Sequence, residues 1–254
     1  MIRTSSTEHA TVIELARGKG NSLDAEFLRQ IRETFAGLRK DPPRGVILSA
    51  EGKIFCAGLD LVKLAEADRV QLSELMVELA ATLREIFSFP RPVVAAMGGH
   101  AMAGGALLSL ACDLRVMAMG EARWGLTEAS LGLVVPASMI EMARYSLQRP
   151  VLEKLVYGGQ AYPAFKAREM GVIDDLVEAD ELKSRSDQLI EAWTPVPPAF
   201  GEIKARLKAP ALAAMEASLE LDKQFVQAWF SPEVQERVRA AVASLGKSLG
   251  KSDG

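Results

Sequence analysis

The stretch Pro92–Cys112, PVVAAMGGHAMAGGALLSLAC, contains no Asp, Glu, Lys or Arg. That is long enough to cross a bilayer, but two glycine clusters divide it. Gly98-Gly99-His100 and Gly104-Gly105 separate a β-branched run from an alanine- and leucine-rich helix former. The better reading is two buried elements joined by a turn: a strand over Val93–Met97, a turn over Gly98–Gly105, and a helix that starts at Ala106–Ala111.

The same strand, glycine loop and helix order recurs on either side. Ala10–Leu15 (ATVIEL) alternates toward a strand, and Ser22 or Asp24 can cap a helix carrying Phe27, Leu28, Ile31, Phe35 and Leu38 at helical spacing. Pro42-Pro43 stops that helix, and Gly45–Ala50 (GVILSA) is a buried strand. A glycine loop follows over Glu51–Asp60, then a helical stretch to Phe87 with Leu72, Leu75, Leu79 and Leu83 in one stripe. Leu114–Ala118 is a further strand, Arg123–Gly132 a loop, and Met139–Leu147 and Leu152–Tyr157 are helical. Ala164–Met170, Val172–Val177 and Leu182–Trp193 then read as helix, strand and helix. The class is α/β.

At Thr194–Pro198 (TPVPP) the composition changes, and beyond it only helices are predicted: Leu212–Trp229, and a last one with Val234, Val238, Val242 and Leu245 in register. That stripe and the Phe225/Trp229/Phe230 cluster are large apolar faces that need a cover, either the main domain or another subunit. A polar tail, Gly246–Gly254, ends the sequence.

Composition narrows the function. The 254 residues are 49% hydrophobic and 25% charged, which excludes a disordered chain. Thirty Lys and Arg against thirty-three Asp and Glu leave a net charge of −3 with no basic stripe, which argues against nucleic acid. Cys56 and Cys112 are too few for a disulfide framework or a four-thiolate zinc site, and read as small buried hydrophobes. The N-terminal residues show no uninterrupted apolar run of the signal-peptide kind, so the expectation is a cytoplasmic protein that does not enter membranes.

Three segments carry candidate chemistry. The Gly98–Gly105 turn opens a helix, and it reads either as a tight strand-to-helix turn in a packed core or as a site where the free N–H groups of Gly104 and Gly105, at the helix's positive end, hold an anion or developing oxyanion. Neither G-x-G-x-x-G spacing nor a P-loop lysine is present, which leaves NAD and ATP unsupported. Phe55–Leu61 (FCAGLDL) offers further amides at Ala57 to Leu59. Two such turns from separate loops can pair their donors, as an oxyanion hole requires. Glu128, in WGLTEASLGL, reads either as an exposed loop acid or as an acid buried among Leu126, Leu131 and Leu133, where burial would raise its pKa toward that of a general base. His100 reads as a turn residue rather than a catalyst, because no G-x-S-x-G elbow accompanies it.

Taken together and in this order, FCAGLDL, PVVAAMGGHAMAGGALLSLACDLRVMA and ARWGLTEASLGLVVP resemble the enoyl-CoA hydratase/isomerase (crotonase) superfamily, from about Thr11 to Trp193. The resemblance implies a spiral of ββα units over residues 1–195 and a helical trimerisation module over 196–254. It implies an acyl-CoA thioester as substrate and a homotrimer or dimer of trimers. It places the oxyanion-binding amides at Leu59 and Gly104, with Gly105 beside them, and the coenzyme A contacts at Ala57, Asp60 and Leu61. Lys19 and Lys63 are candidates for the CoA phosphates. No metal and no separate cofactor is implied.

Hydratases of this family carry two glutamates. Glu128 matches one; the other position is Leu107. The surroundings of Glu128, with NSLDAEFL near the start, are similar to mitochondrial-type Δ3,Δ2-enoyl-CoA isomerases. One acid and one leucine therefore imply a 3-enoyl to 2-enoyl shift with Glu128 as proton shuttle. The alternatives are a hydratase, a decarboxylase, an isomerase acting on carrier-protein-tethered chains, or a non-catalytic acyl-CoA-binding protein.

Overall fold

The computed structural model describes residues 1–194 and 196–249. Pro195 of the TPVPP break, the Leu245 side chain and residues 250–254 of the polar tail lie outside the described residues. In chain order the strands are β1 (Ile2–Ser6), β2 (Thr11–Leu15), β3 (Val46–Ala50), β4 (Ile54–Cys56), β5 (Val93–Met97), β6 (His100–Met102), β7 (Leu114–Ala118), β8 (Arg123–Gly125), β9 (Tyr162–Pro163) and β10 (Asp175–Val177). The α-helices are α1 (Ala25–Arg39), α2 (Leu61–Leu64), α3 (Arg69–Phe87), α4 (Gly104–Ala111), α5 (Ala137–Ser146), α6 (Arg149–Gly158), α7 (Ala164–Glu169), α8 (Leu182–Trp193), α9 (Pro197–Ser218), α10 (Lys223–Trp229) and α11 (Pro232–Leu249).

Two sheets result. The larger has the order β1-β2-β3-β5-β7-β10 and is parallel except where β1 meets β2; the smaller has the order β4-β6-β8-β9. Three strands of the large sheet each hand the chain to one short strand of the small sheet and then to a helix: β3-β4-α2, β5-β6-α4, and β7-β8 leading to α5. This is the spiral of ββα units that the sequence motifs implied. β5 is buried along its whole length, as its unbroken apolar run requires; β7 is buried too, although it carries Arg115, whose guanidinium pairs with Asp174 at 2.9 Å and donates to the Val172 carbonyl at 2.7 Å.

Local chemistry sets the element ends. The Asp24 side chain accepts the Phe27 N–H and starts α1, whose buried face is Phe27, Leu28, Ile31 and Phe35. That face lies on α3, where Thr82 donates to the Leu28 carbonyl. Arg32 and Arg39 bridge to Glu78 and Glu85 at 2.6 and 2.7 Å along the edge of the same contact. The helical stretch ending at Phe87 is interrupted: an Asp68–Gln71 capping box restarts it as α3, separate from the single turn of α2.

Four features differ from the sequence expectation. β1 exists, although four of its five residues are exposed; an edge strand with no buried face has no apolar alternation to detect. The three glycine loops each contain a strand of three residues, β4, β6 and β8, too short to show a period of two. α9 begins at Pro197, earlier than Leu212, with Pro210 tolerated inside it. Finally, α9 and α10 are distinct helices, because the chain turns over Leu219–Asp222.

The C-terminal helices share the main core. Met215, Phe225, Trp229, Val234 and Val238 are buried in the same cluster as Phe27 and Leu107. α9 is also anchored electrostatically: Asp113, at the start of β7, accepts the Lys204 and Lys208 ammonium groups at 2.6 and 2.7 Å and the Val93 N–H at 2.8 Å. Lys208 also donates to the Phe87 carbonyl and lies 4.0 Å from the centre of its ring. On the other side of α9, Ile203 and Leu207 remain exposed.

Candidate active site

Three neighbouring strands of the small sheet, β4, β6 and β8, run parallel, with Cys56 beside Ala101 and Met102 beside Gly125. Their carboxyl ends therefore point the same way, and the residues just beyond them converge: Ala57 to Leu59, Ala103 to Gly104, and Thr127 to Glu128. Ala57, Leu59, Leu61, Gly104, Leu107 and Glu128 all line one cavity of about 100 Å³. Its remaining wall is almost wholly apolar, from Met76 and Leu79 of α3, Leu131, Leu133 and Met139 around α5, and Phe225 and Trp229 of α10.

The two amide turns are built against one another. Leu23 and Leu59 form a parallel bridge in which Leu23 N–H donates to the Gly58 carbonyl and Asp60 N–H donates to the Leu23 carbonyl. That pairing uses the groups on either side of Leu59 and leaves its own N–H without an acceptor among the described residues. On the second turn, Ala103 adopts φ +47° and ψ −116°, a conformation costly for a residue with a side chain, and presents Gly104 as the first residue of α4. The Gly104 N–H also has no acceptor among the described residues. A hydrogen bond from Ala103 N–H to the Gly125 carbonyl at 2.8 Å ties this strained turn to β8.

Gly105 has a structural part. A β-carbon there would stand 2.2 Å from the Cys56 carbonyl oxygen, so only glycine lets α4 lie against the end of β4. Asp60 caps α2 by accepting the Lys63 N–H at 3.2 Å. Neither Asp60 nor Gly105 reaches the cavity wall. Lys63 is engaged with Asp24 at 2.6 Å, and Arg17 pairs with the same carboxylate. Although burial opposes it, those two cations hold the Asp24 carboxyl well below the usual range. Lys19 is exposed nearby in sequence and makes the freer cation.

Glu128 is 8% exposed, and its Oε2 has no hydrogen-bond partner among the described residues. Burial pushes its carboxyl up to about 7, against a smaller opposing effect from its own backbone N–H. Near neutral pH such a group exchanges a proton with little driving force either way, the property a proton shuttle needs. Leu107, 1% exposed on the first turns of α4, presents hydrocarbon to the same cavity. His100 lies in β6, where its Nδ1 accepts the Arg123 N–H, and takes no part in the cavity. Cys56 and Cys112 are fully buried thiols pushed up to about 12 by desolvation, hence unreactive.

Residues 6–243 match the family described as Enoyl-CoA hydratase/isomerase. This chain belongs to the enoyl-CoA hydratase/isomerase family. Among relatives, it is 34% identical over 163 residues to the mouse mitochondrial enoyl-CoA hydratase domain-containing protein 2, covering 63% of this chain and 55% of that protein. It is 29% identical over 200 residues to mouse mitochondrial enoyl-CoA delta isomerase 1, covering 78% and 69%. The backbone matches human mitochondrial delta3-delta2-enoyl-CoA isomerase with a TM-score of 0.92 over 97% of this chain and 98% of that one, at 22% identity. The crotonase fold is thereby shown, and the family acts on acyl-CoA thioesters.

Sequence reasoning missed much of this candidate site. Leu79 was visible only in an apolar stripe, and Phe225 and Trp229 only as an apolar cluster, and neither says what it covers; Met76 was not singled out. The Trp229 indole N–H, buried on this wall without a partner among the described residues, left no sequence signal. Among the described residues no helix is long and apolar enough to cross a membrane, and the uncharged Pro92–Cys112 run is β5, β6 and α4.

Proposed function

We propose that this chain shifts the double bond of a 3-enoyl-CoA thioester to the 2-enoyl position. The observation that carries the proposal is one buried carboxylate, Glu128, in a cavity that Leu107 also lines. Isomerisation needs one group that removes and returns a proton. Hydration needs water and acid–base help at two carbons, and a leucine supplies neither.

The thioester oxygen lies between the Leu59 and Gly104 amides, with Ala57 and Leu61 along the pantetheine arm and Asp60 and Gly105 holding those turns in shape. The C2–H bond breaks toward the Glu128 carboxylate. Its electron pair closes C1=C2, and the C1=O pair moves onto oxygen, where the two N–H groups meet the growing charge. Removing one such donor typically costs about 3–4 kcal/mol. In the return step the oxygen re-forms its carbonyl and C2=C3 closes. The former C3=C4 pair then takes the proton from Glu128 at C4. A proton moves and no net electrons do, so the step calls for no redox group.

Leu107 and the surrounding apolar wall keep water from the dienolate and keep Glu128 basic. A homotrimer or dimer of trimers in which Ile203 and Leu207 meet a second subunit would cover the exposed side of α9; a solution mass measurement tests it. The reaction itself is tested by mixing purified protein with a 3-enoyl-CoA and, separately, a 2-enoyl-CoA. Conjugated-thioester absorbance should rise with the first and stay unchanged with the second. Loss of absorbance with the second would mean hydration, and no change with either would remove the isomerase assignment.

A further inference from the structure

The reaction cavity has a neighbour. A second, mainly apolar cavity of about 380 Å³ lies between α3, α5, the end of α9 and α10, lined by Val77, Ala80, Ala81, Met215, Leu219 and Val226 among others. Met76 lines both cavities and is 5% exposed. α10 forms the rest of the partition: Phe225 faces the reaction cavity, and its neighbour Val226 faces the second one. Asp222 fixes this partition in place by accepting the Ser138 backbone N–H at 3.0 Å and the Ser138 hydroxyl at the start of α5.

The reaction cavity alone is small. At about 100 Å³ it is smaller than the cavity of about 150 Å³ that takes up one benzene, so it has room for the reacting carbons and little more. The second cavity offers several times that space, and its apolar wall suits hydrocarbon. A methionine is the side chain best able to change shape between them, being unbranched with three rotatable bonds.

Resting on the enoyl-thioester assignment above, we propose that Met76 is a chain-length gate. Short acyl chains end against it. Longer unbranched acyl chains turn it aside and run into the cavity between α3 and α10, which makes medium-to-long-chain thioesters the preferred substrate class. The ends of that cavity carry charge, with Arg84 paired to Glu216 on one rim, so the chain's apolar terminus would stop short of them.

Calorimetric binding of saturated acyl-CoAs from butanoyl to tetradecanoyl tests the gate independently of any reaction. Affinity should rise about four-fold per methylene once the chain passes Met76, the factor expected for burying a CH₂. Ala81→Phe, which fills the second cavity, should abolish that rise while butanoyl-CoA still binds. Leu219→Trp, at a half-exposed rim position, repeats the block at a site where misfolding is less of a risk. Met76→Ala should increase the preference for long over short chains. A flat length dependence in the wild-type protein overturns the gate, as does a rise that survives both blocking variants. A rise abolished by the blocks in a protein that leaves 3-enoyl-CoA unchanged would keep the gate and remove only the isomerase assignment.

Discussion

The β-carbon that Gly58 lacks would stand 3.2 Å from the backbone nitrogen of Gly104. It would also lie 3.0 Å from the Met102 carbonyl, and Gly58 itself sits at φ +91°. Two turns nearly fifty residues apart thus pack backbone against backbone, and the two amides proposed as donors, Leu59 and Gly104, sit on those turns. Gly58→Ala should cost about 1–3 kcal/mol of stability through strain at positive φ. It should also lower kcat by one to two orders of magnitude by spreading the Leu59 and Gly104 amides. A thermal melt together with steady-state kinetics checks both; full activity would mean that the turns do not act as a pair.

Glu128→Gln should abolish turnover while acyl-CoA binding survives. The same change should stabilise the protein at pH 8. A carboxyl raised to about 7 in the fold from an ordinary value of 4.5 makes the native state bind more protons than the unfolded chain between those values. Its charge therefore subtracts stability as pH rises through that window, by roughly 3 kcal/mol at most. Melting temperatures of the two proteins should converge at pH 4 and separate above pH 7.

Catalysis should show the opposite trend. The base is the ionised form, so kcat/KM should climb with pH through about 7 and then level off. A profile that is flat from pH 5 to 8 would assign proton transfer to another group.

Leu107→Glu introduces a second carboxyl into the cavity. Coulomb repulsion should push one of the two acids further up and lower isomerisation at neutral pH by ten-fold or more. Slow loss of 2-enoyl-CoA absorbance should appear alongside. Loss of isomerase activity with no hydration would mean that more than this one side chain separates the two chemistries.

Asp113→Asn should be among the more destabilising single changes. It leaves the buried Lys204 and Lys208 ammonium groups without their counter-charge, a defect worth about 3–5 kcal/mol. Because those lysines hold α9, and α9 leads to the α10 wall of the cavity, limited proteolysis should cut the variant first in the C-terminal helices. Replacing Asp113, Lys204 and Lys208 together by apolar residues should recover much of the loss.

The local elements of this protein were legible in its sequence because they are local. The uncharged run of β5 and α4, the Asp24 cap with the Phe27–Phe35 stripe, and the glycines of FCAGLDL and AGGALL all follow from rules acting within a few residues. The motifs also carried the family and the α/β class. What only the tertiary structure decided is where these parts meet. Parallel pairing of β4, β6 and β8 brings Leu59, Gly104 and Glu128 to one cavity, and those strands are three residues each, too short to leave a periodic trace. The apolar cluster of Phe225, Trp229 and Phe230 announced burial without naming a partner, since hydrophobic association has no direction of its own. Folding placed Phe225 and Trp229 on the wall of the cavity that Glu128 lines. Removal of water at that depth is what lifts the carboxyl toward neutrality, and burial is a property of the assembled chain that no single segment contains.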